Sequence, residues 1–307
     1  MATPPGPDGP DSSAGPETHA GLDPRSAAAV PTCYRHPGRE TYVSCVRCGR
    51  PACPDCLRSA AVGQQCVECI REGNRATRPP AGRFGGQVRA GKPVVTWTLV
   101  AINVLLFLFG LVHPAIGNDW AMFPAGVASG QWYRLITSAF LPPTGLNGGG
   151  ILDIAFNMWA LILVGPAIES QFGRARYLAV YLVSALGGSV AFYFLAPVNE
   201  AALGASGAIF GLFAAWFVLS RRLRVDSRQV VMLIVLNLVI GFVFRGAIAW
   251  QAHVGGLIAG GLLTAAYAYA PQRNRTLIQV AATVGIVALL IAGVIIRDYQ
   301  LAGTVRL

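Results

Sequence analysis

After Lys92 the chain is dominated by apolar runs of bilayer length, and this pattern limits the possible fold more than any other feature of the sequence. A helix needs about 20 predominantly apolar residues to cross the hydrocarbon core. Windows of that kind fall at 93–112, 150–168, 176–196, 203–220, 229–244, 250–270 and 276–296. The fourth and fifth are short and need neighbours to cover their ends. Hydrocarbon offers backbone amides no partner, so spanning segments must be helical. The fold class expected is therefore an all-α polytopic membrane protein with about seven transmembrane helices. At 54% hydrophobic and only 12% charged residues, the composition excludes an ordinary soluble domain.

Charge then assigns the two sides. The formal net charge of +10 suggests nucleic acid at first sight. The basic residues, however, concentrate in short loops between spans, which is a topology signal and not a binding face. Arg83, Arg89 and Lys92 precede the first span and Arg174 and Arg176 follow the second. Arg221, Arg222, Arg224 and Arg228 follow the fourth, and Arg273 and Arg275 the sixth. These are alternate loops on one side. The opposite loops and tail hold only Arg134, Arg245, Arg297 and Arg306. The positive-inside rule places the first set, with the N-terminus, in the cytoplasm of a cell-membrane protein. Residues 1–31, rich in Pro, Gly, Ala and Ser, lack apolar periodicity and are expected to be disordered, with no signal peptide.

Two spans begin with a polar residue in an otherwise apolar setting: Ser206 in GASGAIFG (204–211) and His253 in AHVGG (252–256). Polar groups at membrane depth face a protein interior or a wet cavity and tend to carry function. Both enter from the outer side at similar depth. A hydroxyl and an imidazole so placed are the parts of a nucleophile and its general base. Gly207 with Gly211, and Gly256 with Gly260, are small-xxx-small pairs that let helix backbones touch. Generic packing would use the same pairs, but each lies beside the suggestive polar residue of its span. Phe210, one turn below Ser206, can pack on the imidazole or serve as core.

These motifs, with GQWYRLITSAF (130–140), FNMWAL (156–161) and GPAIESQFG (165–173), resemble the rhomboid family of intramembrane serine proteases, in family order over about 93–270. The seventh span resembles the six-plus-one arrangement. The resemblance implies Ser206 as nucleophile, His253 as general base, no third acid, and cleavage of transmembrane protein substrates within the lipid bilayer, in an active site opening to the outer face. It also matches Asn157 to the family's oxyanion asparagine, beside the backbone N–H of Ser206. One position departs: the family usually has histidine four residues before that asparagine, and here it is Asp153. An ionised carboxylate there would oppose a developing oxyanion, whereas a protonated one could donate. A place at the aqueous rim, or a register shifted by the 141–151 loop, are further readings. Trp132 and Arg134 match a loop lying partly in the membrane, where the arginine ties backbone carbonyls together. Glu169 and Gly173 match the family's Glu-x-x-x-Gly, with the carboxylate in a structural role.

All seven cysteines lie between Cys33 and Cys69. Cys33-x2-His36, Cys45-x2-Cys48, Cys53-x2-Cys56 and Cys66-x2-Cys69 make four pairs, enough for two tetrahedral zinc sites. The stretch resembles RING and B-box modules, in which alternating pairs share an ion. That implies one site of Cys33, His36, Cys53 and Cys56 and another of Cys45, Cys48, Cys66 and Cys69; sequential pairing is the alternative. Both would be structural, and catalysis would need no cofactor. The module is expected to engage a cytosolic protein or the substrate's cytosolic part. The domains expected are a disordered segment at 1–31, a zinc module at 32–71, a basic linker at 72–92, a six-helix protease core at 93–270, and an extra helix with a short tail at 271–307. The competing reading is a weak or silent rhomboid-like protein that binds transmembrane clients without cutting them. A zinc-headed transporter would need ionisable residues lining a pathway, and the spans hold few.

Overall fold

The computed structural model describes residues 30–76, 84–85, 92–143, 149–243 and 248–305, in two compact units that divide between Arg78 and Pro79. Outside the described residues lie the expected disordered segment up to residue 29 and most of the 72–92 linker, with Arg83 and Arg89. So do the centre of the 141–151 loop, Phe244 at the end of the fifth expected span, and Arg245 and Arg306.

The first unit contains two antiparallel hairpins, β1 (Thr32–Cys33) with β2 (His36–Glu40) and β3 (Leu57–Ser59) with β4 (Gln64–Cys66), followed by helix α1 (Val67–Ala76). Its buried residues are mostly cysteines: Cys33, Cys53 and Cys56 with Ala52 and Leu57, then Cys45, Cys66 and Cys69, with Tyr34 packed against both groups. So little apolar surface cannot hold a fold of this size by itself. Helix α1 crosses the expected boundary at residue 71. It runs five residues past position 71 into what was read as linker, with Glu68 in its first turn and Arg75 in its last, each matched to the helix dipole.

The second unit is a helical bundle. Its elements are α2 (Val94–Val112), the short α3 (Ala115–Trp120), α4 (Pro124–Ala128) and α5 (Arg134–Thr137), then α6 (Gly149–Phe172), α7 (Arg174–Leu195), α8 (Ser206–Leu223), α9 (Arg228–Val243), α10 (Trp250–Tyr269) and α11 (Arg275–Val305). Each of the seven expected spans falls on one helix. Five segments, α2, α6, α7, α8 and the last, are long and apolar enough to cross a membrane. Helix α9 is shorter, and α10 carries Gln251, His253 and four glycines that reduce its apolarity. Two ends move. Helix α8 starts at Ser206 and not at 203, because Gly204 turns the chain at φ 124°. Helix α11 continues nine residues past 296, to Val305.

Helices α7, α8 and α10 form the tightest group, and glycine is the reason. A Cβ on Gly207 would lie 3.2 Å from the Ala252 carbonyl oxygen, and one on Gly211 would lie 2.8 Å from that of Gly256. One on Gly260 would lie 2.7 Å from the Gly211 oxygen. The two small-xxx-small pairs therefore face each other across the α8–α10 interface.

Polar residues fasten the periphery. Glu169, buried in α6, accepts hydrogen bonds from the Val95 N–H (3.0 Å) and from the Thr96 N–H and hydroxyl (both 2.9 Å). It thereby satisfies the free donors at the start of α2. Arg134, also buried, donates through Nη1 to the Asn118 and Ala121 carbonyls at 2.7 and 2.9 Å, closing the segment between α2 and α6 on itself. Both side chains are structural. Asp298 near the end of α11 accepts from the Trp132 indole at 3.0 Å and from the Tyr193 hydroxyl.

Candidate active site

Ser206 is the first residue of α8 and His253 the fourth of α10. The glycine contacts bring these two helix starts together, and the His253 Nε2 lies 2.9 Å from the Ser206 Oγ. That is hydrogen-bond distance for a serine and the base that would take its proton. The imidazole stacks on Phe210, with ring centroids 4.2 Å apart and planes 8° apart. Its Nδ1 is buried and has no hydrogen-bond partner among the described residues. A Cβ on Gly241 of α9 would lie 3.6 Å from that Nδ1, so a small residue leaves room for the ring. Two of the expected site residues thus meet directly, and Phe210 fixes the ring plane that lets them do so.

Asn157 is placed differently. It is buried, and its Nδ2 donates to the Asp153 carbonyl at 2.9 Å and to the Asp153 carboxylate at 3.0 Å. The i,i+4 spacing puts both on one face of α6, and the amide is turned toward the aspartate. The Asp153 carboxylate in turn points at the serine's turn: a Cβ on Gly204 would lie 3.5 Å from Asp153 Oδ2 and 3.9 Å from Ser206 Oγ. The aspartate thus lies beside the turn that precedes the nucleophile, and Asn157 is bonded to it.

The start of α8 supplies donors. The first N–H groups of a helix lack an intrahelical acceptor, and the bond from the Ile209 N–H to the Ala205 carbonyl is the first of this helix. A cavity of about 30 Å³ is lined by Ser206, Gly207, Ala208, Gly204, Ser138 and Ala252. That is room for about one water. Ser138 was not singled out in the sequence. Its carbonyl accepts from the Gly204 N–H at 2.9 Å and so holds the turn before the serine. Only the SAF of the 130–140 motif hinted at it. Gly241, amid an apolar run with no polar neighbour, gave no signal.

In the first unit, Cys33, His36, Cys53 and Cys56 form one group and Cys45, Cys48, Cys66 and Cys69 another, each with its ligand atoms within 4.8 Å of one another. This is the alternating grouping. His36 Nδ1 lies 3.4 Å from the Cys53 and Cys56 sulfurs and 3.7 Å from Cys33, and Cys48 and Cys66 sulfurs are 3.9 Å apart. An ion with Zn–S bonds of about 2.3 Å implies tetrahedral edges of roughly 3.8 Å, which these spacings fit. Burial, with the Cys33 and Cys53 sulfurs alongside, pushes the Cys56 thiol well up. Burial and Cys66 do the same to Cys69. Thiols that resist ionising together suit a cation that would neutralise them. Both clusters could hold a metal ion.

Residues 129–270 match the Rhomboid domain. The chain is 35% identical over 187 residues to the rhomboid protease GluP of Bacillus subtilis, covering 57% of this chain and 35% of GluP. To YdcA, a second Bacillus subtilis protein of rhomboid type, it is 34% identical over 180 residues, 56% of this chain and 87% of YdcA. The rhomboid protease AarA of Providencia stuartii is 26% identical over 222 residues, 60% of this chain and 76% of AarA. The aligned part therefore spans about a third of GluP but most of the other two.

Proposed function

Because the chain belongs to the rhomboid family, we propose that it is an intramembrane serine endopeptidase acting on transmembrane segments of membrane proteins through Ser206 and His253. The observation that carries this reading is the 2.9 Å contact between His253 Nε2 and Ser206 Oγ at one end of a membrane bundle. His253 Nε2 accepts the serine proton as Oγ attacks the scissile carbonyl, then returns it to the leaving amine. The orphan N–H groups at the start of α8, with the positive end of its dipole, stabilise the oxyanion. Phe210 takes over the task of orienting the imidazole that a third acid performs elsewhere. Retention of this hydrogen-bonded pair argues against the silent client-binding role.

The protease core takes residues 93–270, with α11 appended as the extra helix. The basic end of the bundle and the N-terminal module are cytoplasmic, and the serine end opens outward. Labelling of the purified protein by a serine-directed fluorophosphonate tests the assignment. Label is expected on the wild type and absent from Ser206→Ala. Equal labelling of both would sink it.

Asp153 restrains this site. A carboxylate beside the Gly204 turn disfavours a second negative charge on the oxyanion, and it keeps the Asn157 amide for itself. Asp153→His is expected to raise the cleavage rate by about tenfold or more, since one well-placed donor is worth a factor of this size or larger. The gain should appear in kcat; an unchanged or lower kcat would show that the aspartate is not in the way.

The N-terminal clusters hold two structural zinc ions, and the module serves as a docking element for a cytosolic protein. Its support is the donor geometry and the small core. Metal analysis of purified protein should find two equivalents of zinc per chain. Cys53→Ser and Cys66→Ser should each remove one, since the two clusters share no ligand. Loss of both ions in either variant would contradict independent sites.

A further inference from the structure

At the basic end of the bundle, Arg176 in the first turn of α7 and Arg275 at the start of α11 converge on one spot. A Cβ on Gly85 would lie 3.4 Å from Arg176 Nη2 and 3.5 Å from Arg275 Nη1. Guanidinium groups this close repel unless an anion sits with them. The described residues place none there. Residues 73–118, 170–199 and 227–297, which contain Gly85, Arg176 and Arg275, hold no aspartate or glutamate. Of the acids beyond those stretches, Glu169 is committed to the start of α2 and Asp226 accepts from the Arg228 N–H. Among the described residues, neither arginine forms an ion pair.

Beside these arginines lies a cavity of about 370 Å³ between α7, α10 and α11. Arg176 stands on its wall, and Ala175, Ala179, Val280 and Val284 give it apolar surface beside Thr276 and Thr283. The guanidinium is braced in advance: its Nε donates to the Gln279 Oε1 at 2.6 Å. The buried Gln279 donates in turn to the Phe84 and Tyr267 carbonyls at 3.0 and 3.1 Å. Phe84 is itself buried edge-on against Phe172, with centroids 5.5 Å apart. The described pair Phe84–Gly85, within the stretch expected to be a basic linker, therefore packs at this corner of the bundle.

We propose that this corner binds one anionic phospholipid, with the phosphate on the Nη groups of Arg176 and Arg275 and an acyl chain in the cavity. The positive ends of α7 and α11 add to the attraction for phosphate. A basic pocket between membrane helices is suited to a lipid headgroup, and the apolar walls distinguish a lipid from a free anion, which would leave them uncovered.

Native mass spectrometry of the full chain released from mixed phosphatidylglycerol and phosphatidylcholine vesicles tests this. One phosphatidylglycerol per chain should be retained at least tenfold over phosphatidylcholine. Arg275→Gln should remove the preference by weakening the headgroup contact. Ala179→Phe, which fills the cavity and leaves the charges, should lower retention of either lipid at least tenfold, and Val280→Phe from the facing wall should do the same. Unfolding temperatures measured in phosphatidylcholine identify any variant that fails to fold. Equal retention of the two lipids by the wild type overturns the proposal, as does full retention in Arg275→Gln. Displacement of the lipid by glycerophosphate at equal concentration overturns the acyl-chain part and leaves an anion site alone.

Discussion

Cleavage of a transmembrane reporter by reconstituted protein should fall roughly a thousandfold or more in Ser206→Ala and in His253→Ala. The double variant should lose no more than the worse single one. The reason is geometric. Oγ and Nε2 are 2.9 Å apart, so one proton transfer uses both groups, and removing either removes the same step. A neutral hydroxyl without its base is a poor nucleophile. The residual rate would come from the α8 donors and from substrate positioning. Additive losses in the double variant would mean that the two act in separate steps. The steady-state rates of the three variants against wild type decide this, with the thermal midpoint of each as a control for folding.

The second large effect is on stability. Gly256→Ala should cost on the order of 3 kcal/mol or more, at the high end for overpacking. The new methyl would run into the backbone of Gly207, and backbone cannot rotate away as a side chain can. Relief requires α8 and α10 to separate, which would also pull Ser206 from His253. A lower unfolding midpoint in detergent and lost cleavage are therefore expected together. Gly285→Ala in α11 is the matched control, because nothing lies within 4 Å of its Cβ position. It should leave the midpoint unchanged or raise it slightly, as alanine favours helix over glycine. Equal effects at the two positions would show that helix propensity and not contact governs the first.

Much of this was legible in the sequence because the bilayer allows so few solutions. Apolar length alone located every long helix, since hydrocarbon forces each span to satisfy its own backbone. The polar residues Ser206 and His253 stood out against that background, and the glycine pairs showed which faces could meet. The Cys/His pair spacing marked the eight candidate ligands, while their alternating grouping came from the resemblance to RING and B-box modules and matches the two clusters. What was hidden depends on contacts that no local pattern encodes. Phe84 is one aromatic among Gly, Pro and Arg, with no period to announce that it is buried. Asp298 follows Arg297 at the end of an apolar run and reads as tail, because its partners Trp132 and Tyr193 lie more than a hundred residues earlier. The turn of Asn157 toward Asp153 was also unreadable: the spacing gave a shared face, but not which group the amide would choose.

Only 11% of the apolar window of helix α11 is buried, yet polar bonds pin it at Gln279 and at Asp298. Nineteen residues of helix separate the pins, a rise of about 28 Å, close to the ~30 Å depth of the hydrocarbon slab. The two fastenings therefore sit near its two edges, and the helix spans them as a strut of fixed length. A thinner bilayer must tilt that strut or bend around it. Either response loads the Trp132 and Tyr193 contacts at one edge and the Arg176 corner at the other, so membrane thickness becomes a mechanical input to the protein.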